Sequence, residues 1–365
     1  MKIIYISNSI IPSVLANSVH VMKMCEAFAK NGNQVVLYCI KSSSFETDLF
    51  DYYGVSKTFE LVRLKRFNIK VIGNLIYAFM LYHRIKRLYS DADILYSREL
   101  HGIYLLRKNK KFIYEAHTLP KKRLDRFLTY KILKSRMIQK IIVISEALKK
   151  DYLSRYKFLK STDVLVAHDG ANIPNLDFDI DQNNHKTIEI GYIGHLYAGR
   201  GIDLIVKLAE RIQNHNFHVI GGRENDVNDW RNQTTKIKNI YFHGHIPNGK
   251  LGSYYKKLDI MLAPYESKVS VLSGVDTSRW MSPMKIFEYM SYAKAIIATD
   301  LPVLREILNH DENAILCPPG DLDAWEAALQ KLINDVDHRN FIRFNAFNCL
   351  IKNYTWVNRA KRVLD

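Results

Sequence analysis

The feature that most constrains this chain is a regular alternation of short apolar runs with longer amphipathic stretches. The runs are rich in Val and Ile, and the stretches between them carry apolar residues at helical spacing. Strands that alternate with helices form parallel sheets covered by helices on both faces. The predicted strands are Lys2–Ile6, Gln34–Cys39, Glu60–Leu64, Ile94–Ser97, Lys111–Glu115, Lys140–Ile144, Val164–His168, Thr187–Tyr192, Phe217–Gly221, Ile240–Phe242, Asp259–Pro264, Ala295–Thr299 and Ala314–Cys317.

The alternation predicts a helix after most strands and breaks once, at residues 170–186, where Asn, Asp and Pro are typical of a linker. We therefore predict an α/β protein with two tandem doubly wound domains and an interdomain cleft, residues 1–172 and 173–345, followed by a helical tail, residues 346–365. The predicted helices are Ser18–Asn31, Val71–Tyr89, His101–Lys108, Leu124–Arg136, Glu146–Tyr156, Gly201–Asn214, Leu251–Leu258, Pro283–Tyr292, Leu322–Asp335 and the tail from His338.

The net charge of +16 is concentrated in the first half of the chain. Residues 1–172 carry 30 Lys and Arg against 14 Asp and Glu, and residues 61–88 combine basic ends with an apolar middle that includes Tyr77, Phe79 and Tyr82. That combination is typical of an amphipathic helix at an anionic membrane surface. The alternative is a core helix with solvated basic flanks; nucleic acid is disfavoured because no nucleic-acid-binding motif accompanies the charge.

The remaining composition indicates a cytoplasmic globular protein. The start of the chain leads directly into a strand, and no run of about 18 apolar residues predicts a membrane span. Four cysteines, Cys25, Cys39, Cys317 and Cys349, show no CxxC spacing, so we expect buried apolar groups without a disulfide or a metal.

The segment GYIGHLYAGRG, residues 191–201, joins a predicted strand to a predicted helix. Glycines let a ligand approach the backbone, the helix N-terminus offers N–H groups, and Arg200 can bind an oxyanion with two hydrogen bonds. The segment therefore predicts a diphosphate site, the alternative being a Gly-rich turn with a surface Arg. The spacing is not the GxGxxG of dinucleotide-binding proteins, which disfavours a nicotinamide dehydrogenase.

The stretch SPMKIFEYMSYAKAIIATDLPVLRE, residues 282–306, predicts a helix, a buried strand and a second helix that begins after Leu301-Pro302. Lys285 and Glu288 share one helix face. A carboxylate can accept two hydrogen bonds from a ribose diol, and a lysine can neutralise phosphate. The alternative is that Glu288 is solvated or forms a local ion pair with Lys285.

His117 follows a predicted strand in the basic half of the chain. A histidine at a strand end can hydrogen-bond a sugar hydroxyl, although a structural histidine fits the same pattern.

Together these segments resemble the retaining glycosyltransferases of the two-Rossmann, or GT-B, fold, of the group 1 and family 4 type found in bacterial polysaccharide biosynthesis. The resemblance rests on the order of SVHVMKMCEAFAKNGNQV, YEAHTL, VISEALKKDY, HDGANI, GYIGHLYAGRGIDLIVKLAE, YFHGHIPNGKLGSYYKKLDIMLAPY and SPMKIFEYMSYAKAIIATDLPVLREIL along the chain. It implies that the tail helix crosses back onto the first domain.

The resemblance also implies roles for particular residues. Glu288 holds the ribose of a nucleotide sugar, while Arg200, Lys285 and the turn at Gly194 and His195 hold its diphosphate. Pro264 and Tyr265 line the same donor site, His117 lies beside the transferred sugar, and Asn17 and Ser18 belong to an altered acceptor loop. Two positions depart from the family pattern: Trp280 replaces a Glu, and His195 replaces a basic residue.

The function so implied is transfer of a hexosyl unit, with retention, from a UDP-sugar or GDP-sugar to a lipid-linked saccharide for a cell-surface polysaccharide. We expect no cofactor and no metal, a peripheral position on the inner face of the plasma membrane, and no nucleic-acid partner. Two alternatives stay open: a catalytically weak subunit of a membrane assembly complex, and an NDP-sugar epimerase of the same fold.

Overall fold

The structure is a computed structural model that describes residues 1–42, 48–67, 70–175, 187–269, 276 and 278–365. It divides into unit 1, Met1–His168 with Trp356–Asp365, and unit 2, Asp169–Thr355. The first boundary lies before residue 172 because the backbone N–H groups of Asp169 and Ala171 donate to Ser282 Oγ at 2.8 Å and Tyr354 O at 3.1 Å, both in unit 2. Most of the predicted linker, residues 176–186, lies outside the described residues.

Unit 1 contains a seven-stranded parallel sheet in the order β3-β2-β1-β4-β5-β6-β7. Its strands are β1 Lys2–Ile11, β2 Gln34–Lys41, β3 Glu60–Leu64, β4 Ile94–Ser97, β5 Phe112–Ala116, β6 Ile138–Val143 and β7 Val164–Val166. Its helices are α1 Ala16–Lys30, α2 Leu49–Tyr53, α3 Lys70–Leu88, α4 Leu100–Leu106, α5 Arg123–Leu133, α6 Glu146–Arg155 and, from the end of the chain, α13 Trp356–Leu364.

Unit 2 contains a six-stranded parallel sheet in the order β10-β9-β8-β11-β12-β13. Its strands are β8 Glu189–Ile193, β9 Asn216–Ile220, β10 Ile240–Gly244, β11 Ile260–Ala263, β12 Ala295–Thr299 and β13 Ile315–Cys317. Its helices are α7 Ile202–Arg211, α8 Glu224–Gln233, α9 Gly252–Lys257, α10 Met284–Ser291, α11 Leu322–Asn334 and α12 Val336–Asn353. Two apolar clusters cover opposite faces of this sheet, so the predicted α/β fold with two parallel sheets is confirmed.

Both sheets reverse their strand order once. The reversal lies between β1 and β4 in unit 1 and between β8 and β11 in unit 2. In parallel sheets the connections diverge to opposite faces at such a point, which opens a crevice at the carboxyl ends of the strands. Residues that follow these four strands are therefore the first candidates for ligand contact.

The helix predicted after Leu301-Pro302 is wrong. Residues 302–307 form consecutive turns, in which Leu304 N–H donates to Leu301 O at 2.9 Å and Leu308 N–H donates to Leu304 O at 2.8 Å. The side-chain oxygen of Asn313 then accepts a hydrogen bond from Asn309 N–H at 2.7 Å, after the last of these turns. Within the described residues, no helix is both long and apolar enough to span a bilayer.

Candidate functional site

Lys285 lies in the first turn of α10 with its ammonium group over aromatic rings. Its Nζ is 3.8 Å from the ring centre of Tyr192 and 5.2 Å from that of Tyr265, and the buried Nζ makes no hydrogen bond in the described part of the chain. Burial lowers the pKa of Lys285 well below its usual value, Arg200 lowers it further, and Glu288 opposes both. A bound anion would favour the charged form of Lys285.

Gly194 makes room for that amine at the end of β8. A Cβ atom on Gly194 would lie 2.6 Å from Lys285 Nζ. Gly221, directly after β9, has a φ of +116°, and a Cβ atom there would lie 2.1 Å from Gly194 O. Only glycine permits this approach of two backbones, and the result is an open backbone surface beside Lys285.

Arg200 precedes the start of α7 and shares an aromatic partner with Lys285. Its guanidinium lies 5.4 Å from the ring centre of Tyr265, and its Nε is buried without a hydrogen bond among the described residues. At Gly201, with φ of +73°, a Cβ atom would lie 1.8 Å from Pro264 O. The N-cap residue of α7 is Gly201, which has no side chain to cap the helix. The N–H groups at this end of α7, Arg200 and Lys285 together are suited to a diphosphate.

His195 contributes hydrogen bonding rather than charge. Its ring stacks on Tyr197 at 4.7 Å, and its backbone oxygen accepts from Tyr192 OH at 2.6 Å. Burial, with Arg200 and Lys285 nearby, lowers the pKa of His195 to about 4. The ring is therefore neutral at pH 7.

Glu288 is oriented by two donors from the segment around α9. Its Oε1 accepts from Asn248 Nδ2 at 3.0 Å, and its Oε2 accepts from Tyr255 OH at 2.9 Å. No hydrogen bond joins Lys285 to Glu288 in the described part of the chain, so the simple local pair is not formed. Asn248 and Tyr255 were missed from the sequence because they lie 40 and 33 residues from Glu288.

In unit 1, His117 follows β5 and contacts a buried carboxylate. His117 Nε2 is 2.6 Å from Glu115 Oε1. Burial opposes ionisation of Glu115, but Arg359 and His20 outweigh it and hold the pKa of this carboxyl well below its usual value. An ionised carboxylate only accepts hydrogen bonds, so His117 Nε2 carries the proton. Burial and the charge of Arg98 lower the pKa of His117 to about 4, which leaves Nδ1 as an acceptor at pH 7.

Glu115 has further partners, none of which the sequence indicated. His20 Nε2 lies 3.0 Å from its Oε1, Arg359 Nη2 donates to Oε1 at 3.1 Å, and Tyr96 OH donates to Oε2. His20, Glu115 and His117 each place one potential metal ligand atom within 4.8 Å of the others. Because Arg359 already balances the carboxylate, the donor set does not favour a cation.

The two predicted acceptor residues differ in their surroundings. Ser18 Oγ, at the start of α1, donates to Leu15 O at 2.7 Å, so its hydroxyl closes a turn. Asn17 Oδ1 is buried without a hydrogen bond among the described residues. Their acceptor roles stay predictions, as do the donor roles of Lys285, Arg200 and Glu288, although the structure brings the latter three together.

Comparison with known proteins gives a consistent result over both units. Residues 18–174 match the model of glycosyltransferase family 4, and residues 187–335 match that of the glycosyl transferases group 1. An uncharacterized glycosyltransferase of Methanocaldococcus jannaschii is 22% identical over 243 residues, which are 62% of this chain and 58% of that protein. The match thus spans less than two thirds of this relative.

Solved structures match over the whole chain. HepE of Anabaena in complex with UDP-glucose has a TM-score of 0.72 at 13% identity, covering 100% of this chain and 98% of its own. WaaB, a lipopolysaccharide outer core galactosyltransferase, has a TM-score of 0.66 at 14% identity, covering 100% and 99%. At these identities the likeness shows the fold.

Proposed function

The chain belongs to the GT-B glycosyltransferases of the group 1 and family 4 type, and we propose that it transfers a hexosyl unit from a nucleoside-diphosphate sugar to a hydroxyl group. One observation carries the proposal. The side chains of Arg200 and Lys285 both lie over the ring of Tyr265. Lys285 also lies next to the backbone of Gly194, on the same helix as the oriented Glu288. This set matches a diphosphate followed by a ribose diol.

The chemistry of the leaving group follows from these residues. Departure of a nucleoside diphosphate concentrates negative charge on its phosphate oxygens, which Arg200, Lys285 and the N-terminus of α7 are arranged to stabilise. Transfer with retention at the anomeric carbon then needs a base on the leaving-group face, and a diphosphate oxygen supplies it. In this proposal the cationic side chains take the place of a divalent cation.

His117 has a defined role in the same proposal. With Nε2–H donated to Glu115, its Nδ1 accepts a hydrogen bond from a sugar hydroxyl. A ring with a pKa of about 4 does not act as a general acid at pH 7. We therefore assign His117 to positioning of the transferred sugar.

The acceptor class rests on a surface of unit 1. Exposed apolar side chains lie on α3 and α5, among them Ile72, Phe79 and Phe127. Lys86 lies over the ring of Tyr82 on α3, and Lys131 lies over the ring of Phe127 on α5. Apolar groups beside cations fit an anionic lipid surface. A lipid-linked saccharide at the cytoplasmic face of a membrane is the acceptor this surface favours, and WaaB, which shares the fold, is named for a lipopolysaccharide substrate.

Nucleotide binding tests the donor part of the proposal. We expect UDP or GDP to raise the melting temperature of the full chain; a hundredfold excess over Kd corresponds to about 2.7 kcal/mol of added stability. Glu288→Ala should weaken this effect at least tenfold, whereas Glu224→Ala, an exposed residue on α8, should not. No shift with UDP, GDP or ADP would contradict the proposal.

The alternative of a silent subunit is decided by turnover. Donor hydrolysis or transfer that is lost in Arg200→Ala and Glu288→Ala would exclude it. Conversion of the donor sugar without any acceptor would instead support an epimerase.

A further inference from the structure

The crevice where unit 1 reverses its strand order holds an arginine that the proposed mechanism does not use. Arg98 is the second residue after Tyr96 and directly follows β4, and its backbone N–H donates to Ile6 O of β1 at 3.1 Å. β1 and β4 are the two strands at the reversal. Arg98 thus occupies the position in unit 1 that corresponds to a ligand crevice in parallel sheets.

Two polar atoms at this crevice, one from β1 and one directly after β4, make no hydrogen bond within the described part of the chain. They are Tyr5 OH and Arg98 Nη1, and both are buried. Tyr5 itself is 0% exposed. A buried guanidinium N–H without an acceptor costs free energy, and an anion that accepted a hydrogen bond from Arg98 would offset that cost.

The surroundings define the chemistry of that group. Arg98 is close enough to oppose the burial-driven rise in the pKa of Tyr5 and to lower the pKa of His117. Across the strand end, the carboxylate of Glu115 is already paired with Arg359. The unmatched charge is therefore positive, and guanidinium donors select planar or tetrahedral oxyanions.

Resting on the proposed transferase function, we propose that Arg98 binds an anionic group of the acceptor, a phosphate or a carboxylate, beside the hydroxyl-accepting Nδ1 of His117. The acceptor is thereby an acidic saccharide or a saccharide phosphate. A phosphate and a carboxylate share this chemistry, and the probes below distinguish them.

The test uses the full chain and NMR signals of the His117 ring, assigned with His117→Asn. Inorganic phosphate and glucuronate are titrated in turn. We expect saturable shifts of the ring signals with one of them, at least tenfold weaker binding in Arg98→Gln, and partial recovery in Arg98→Lys. Because phosphate can also reach unit 2, Arg200→Ala is the matched control and should leave the His117 response unchanged.

Stability separates a ligand site from a structural arginine. Since Arg98 Nη1 has no hydrogen bond to lose, Arg98→Gln should keep or raise the melting temperature. A fall of several degrees, equal anion responses in Arg98→Gln, or no response in the unsubstituted chain would each overturn the proposal. UDP binding is measured in parallel: its absence defeats the donor function, whereas the anion response of Arg98 is judged separately.

Discussion

Lys285 leads to an expectation about protons at the scale of single residues. Its pKa is well below the usual value because Nζ is buried next to Arg200. A diphosphate supplies the opposite charge and raises that pKa, so UDP binding should take up a proton at pH values between the lowered and the raised pKa. Calorimetry in buffers of different ionisation enthalpy measures this uptake directly.

Lys285→Met is the variant that tests the assignment. It should bind UDP more weakly and without the Lys285-linked proton uptake. Proton uptake that persists in Lys285→Met and disappears in His195→Asn would show that His195, and not Lys285, is the group that takes up the proton.

The sequence could indicate candidate residues for ligand contact but not the residues that orient them. Arg200, Lys285 and Glu288 stand in segments whose glycines and helix spacing indicate a phosphate site. Asn248 and Tyr255 reach Glu288 from another part of the chain. Such contacts depend on how strands are ordered in the sheet, which no local pattern encodes.

At the scale of elements, helix α13 supplies the arginine that balances the buried carboxylate of Glu115 in unit 1. Arg359 is 3% exposed and donates to Glu115, Ala167 O and His168 O. Arg359→Met would leave Glu115 buried beside fewer donors, and we expect a loss of about 3–5 kcal/mol of unfolding free energy in denaturant titrations.

The control for this prediction lies on the same helix. Arg362 is exposed, so Arg362→Met should change stability by less than about 0.5 kcal/mol. If Glu115 causes the loss, adding Glu115→Gln to Arg359→Met should recover part of it. Equal effects of Arg359→Met and Arg362→Met would refute the role of α13.

The apolar faces of α3 and α5 lead to a prediction about lipid. Replacing Phe79 and Phe127 with Ser removes large side chains that are 54% and 50% exposed. Binding to anionic vesicles, measured by sedimentation at low salt, should fall about tenfold or more. Phe341→Ser, a residue on α12 with 52% exposure, is the control; if it has the same effect, the surface is not specific.

Helices were predictable in proportion to their apolar periodicity. Helix α8 was not predicted because it buries Val227 within a largely polar stretch, which gives no apolar periodicity. Helix α2 was not predicted because its five residues are too few to show a helical period. The stretch after Pro302 carried helical spacing, yet it buries Leu304, Ile307 and Leu308 from consecutive turns. Burial alone does not distinguish a helix from a series of turns.

At the scale of the whole molecule, both units should lose stability in mild acid. The pKa values of His117 and His195 fall to about 4 on folding, so between pH 6.5 and about 4 the unfolded chain binds more protons. The contribution of each neutral histidine to the free energy of unfolding is therefore fully present above pH 6.5. It is lost as the pH decreases, by about 3 kcal/mol per group. The carboxylate of Glu115, with its lowered pKa, adds a loss below about pH 4.5.

Denaturant titrations at pH 7 and pH 5 measure this effect. His195→Phe, which keeps a ring over Tyr197, should flatten the pH dependence of unit 2. His83→Gln, at an exposed position on α3, should leave the dependence unchanged. Stability that is constant over this range would contradict the lowered pKa values.

The fold was predictable because strand and helix periods alternate along the chain, but the division into units was less so. The sequence placed a boundary at residue 172, whereas hydrogen bonds of Asp169 and Ala171 attach that segment to unit 2. Residues 346–353 continue α12 of unit 2, and only Trp356–Asp365 join unit 1. Charge and periodicity carry no information about such attachments.

The attachment of α13 also determines when unit 1 is finished during synthesis. A ribosome releases Met1–His168 first, then all of unit 2, and only afterwards the helix that brings Arg359 to Glu115. Until then the buried carboxylate lacks the guanidinium that holds its pKa low. A chain interrupted anywhere before Trp356 therefore carries an unfinished unit 1, however well its first strands are paired.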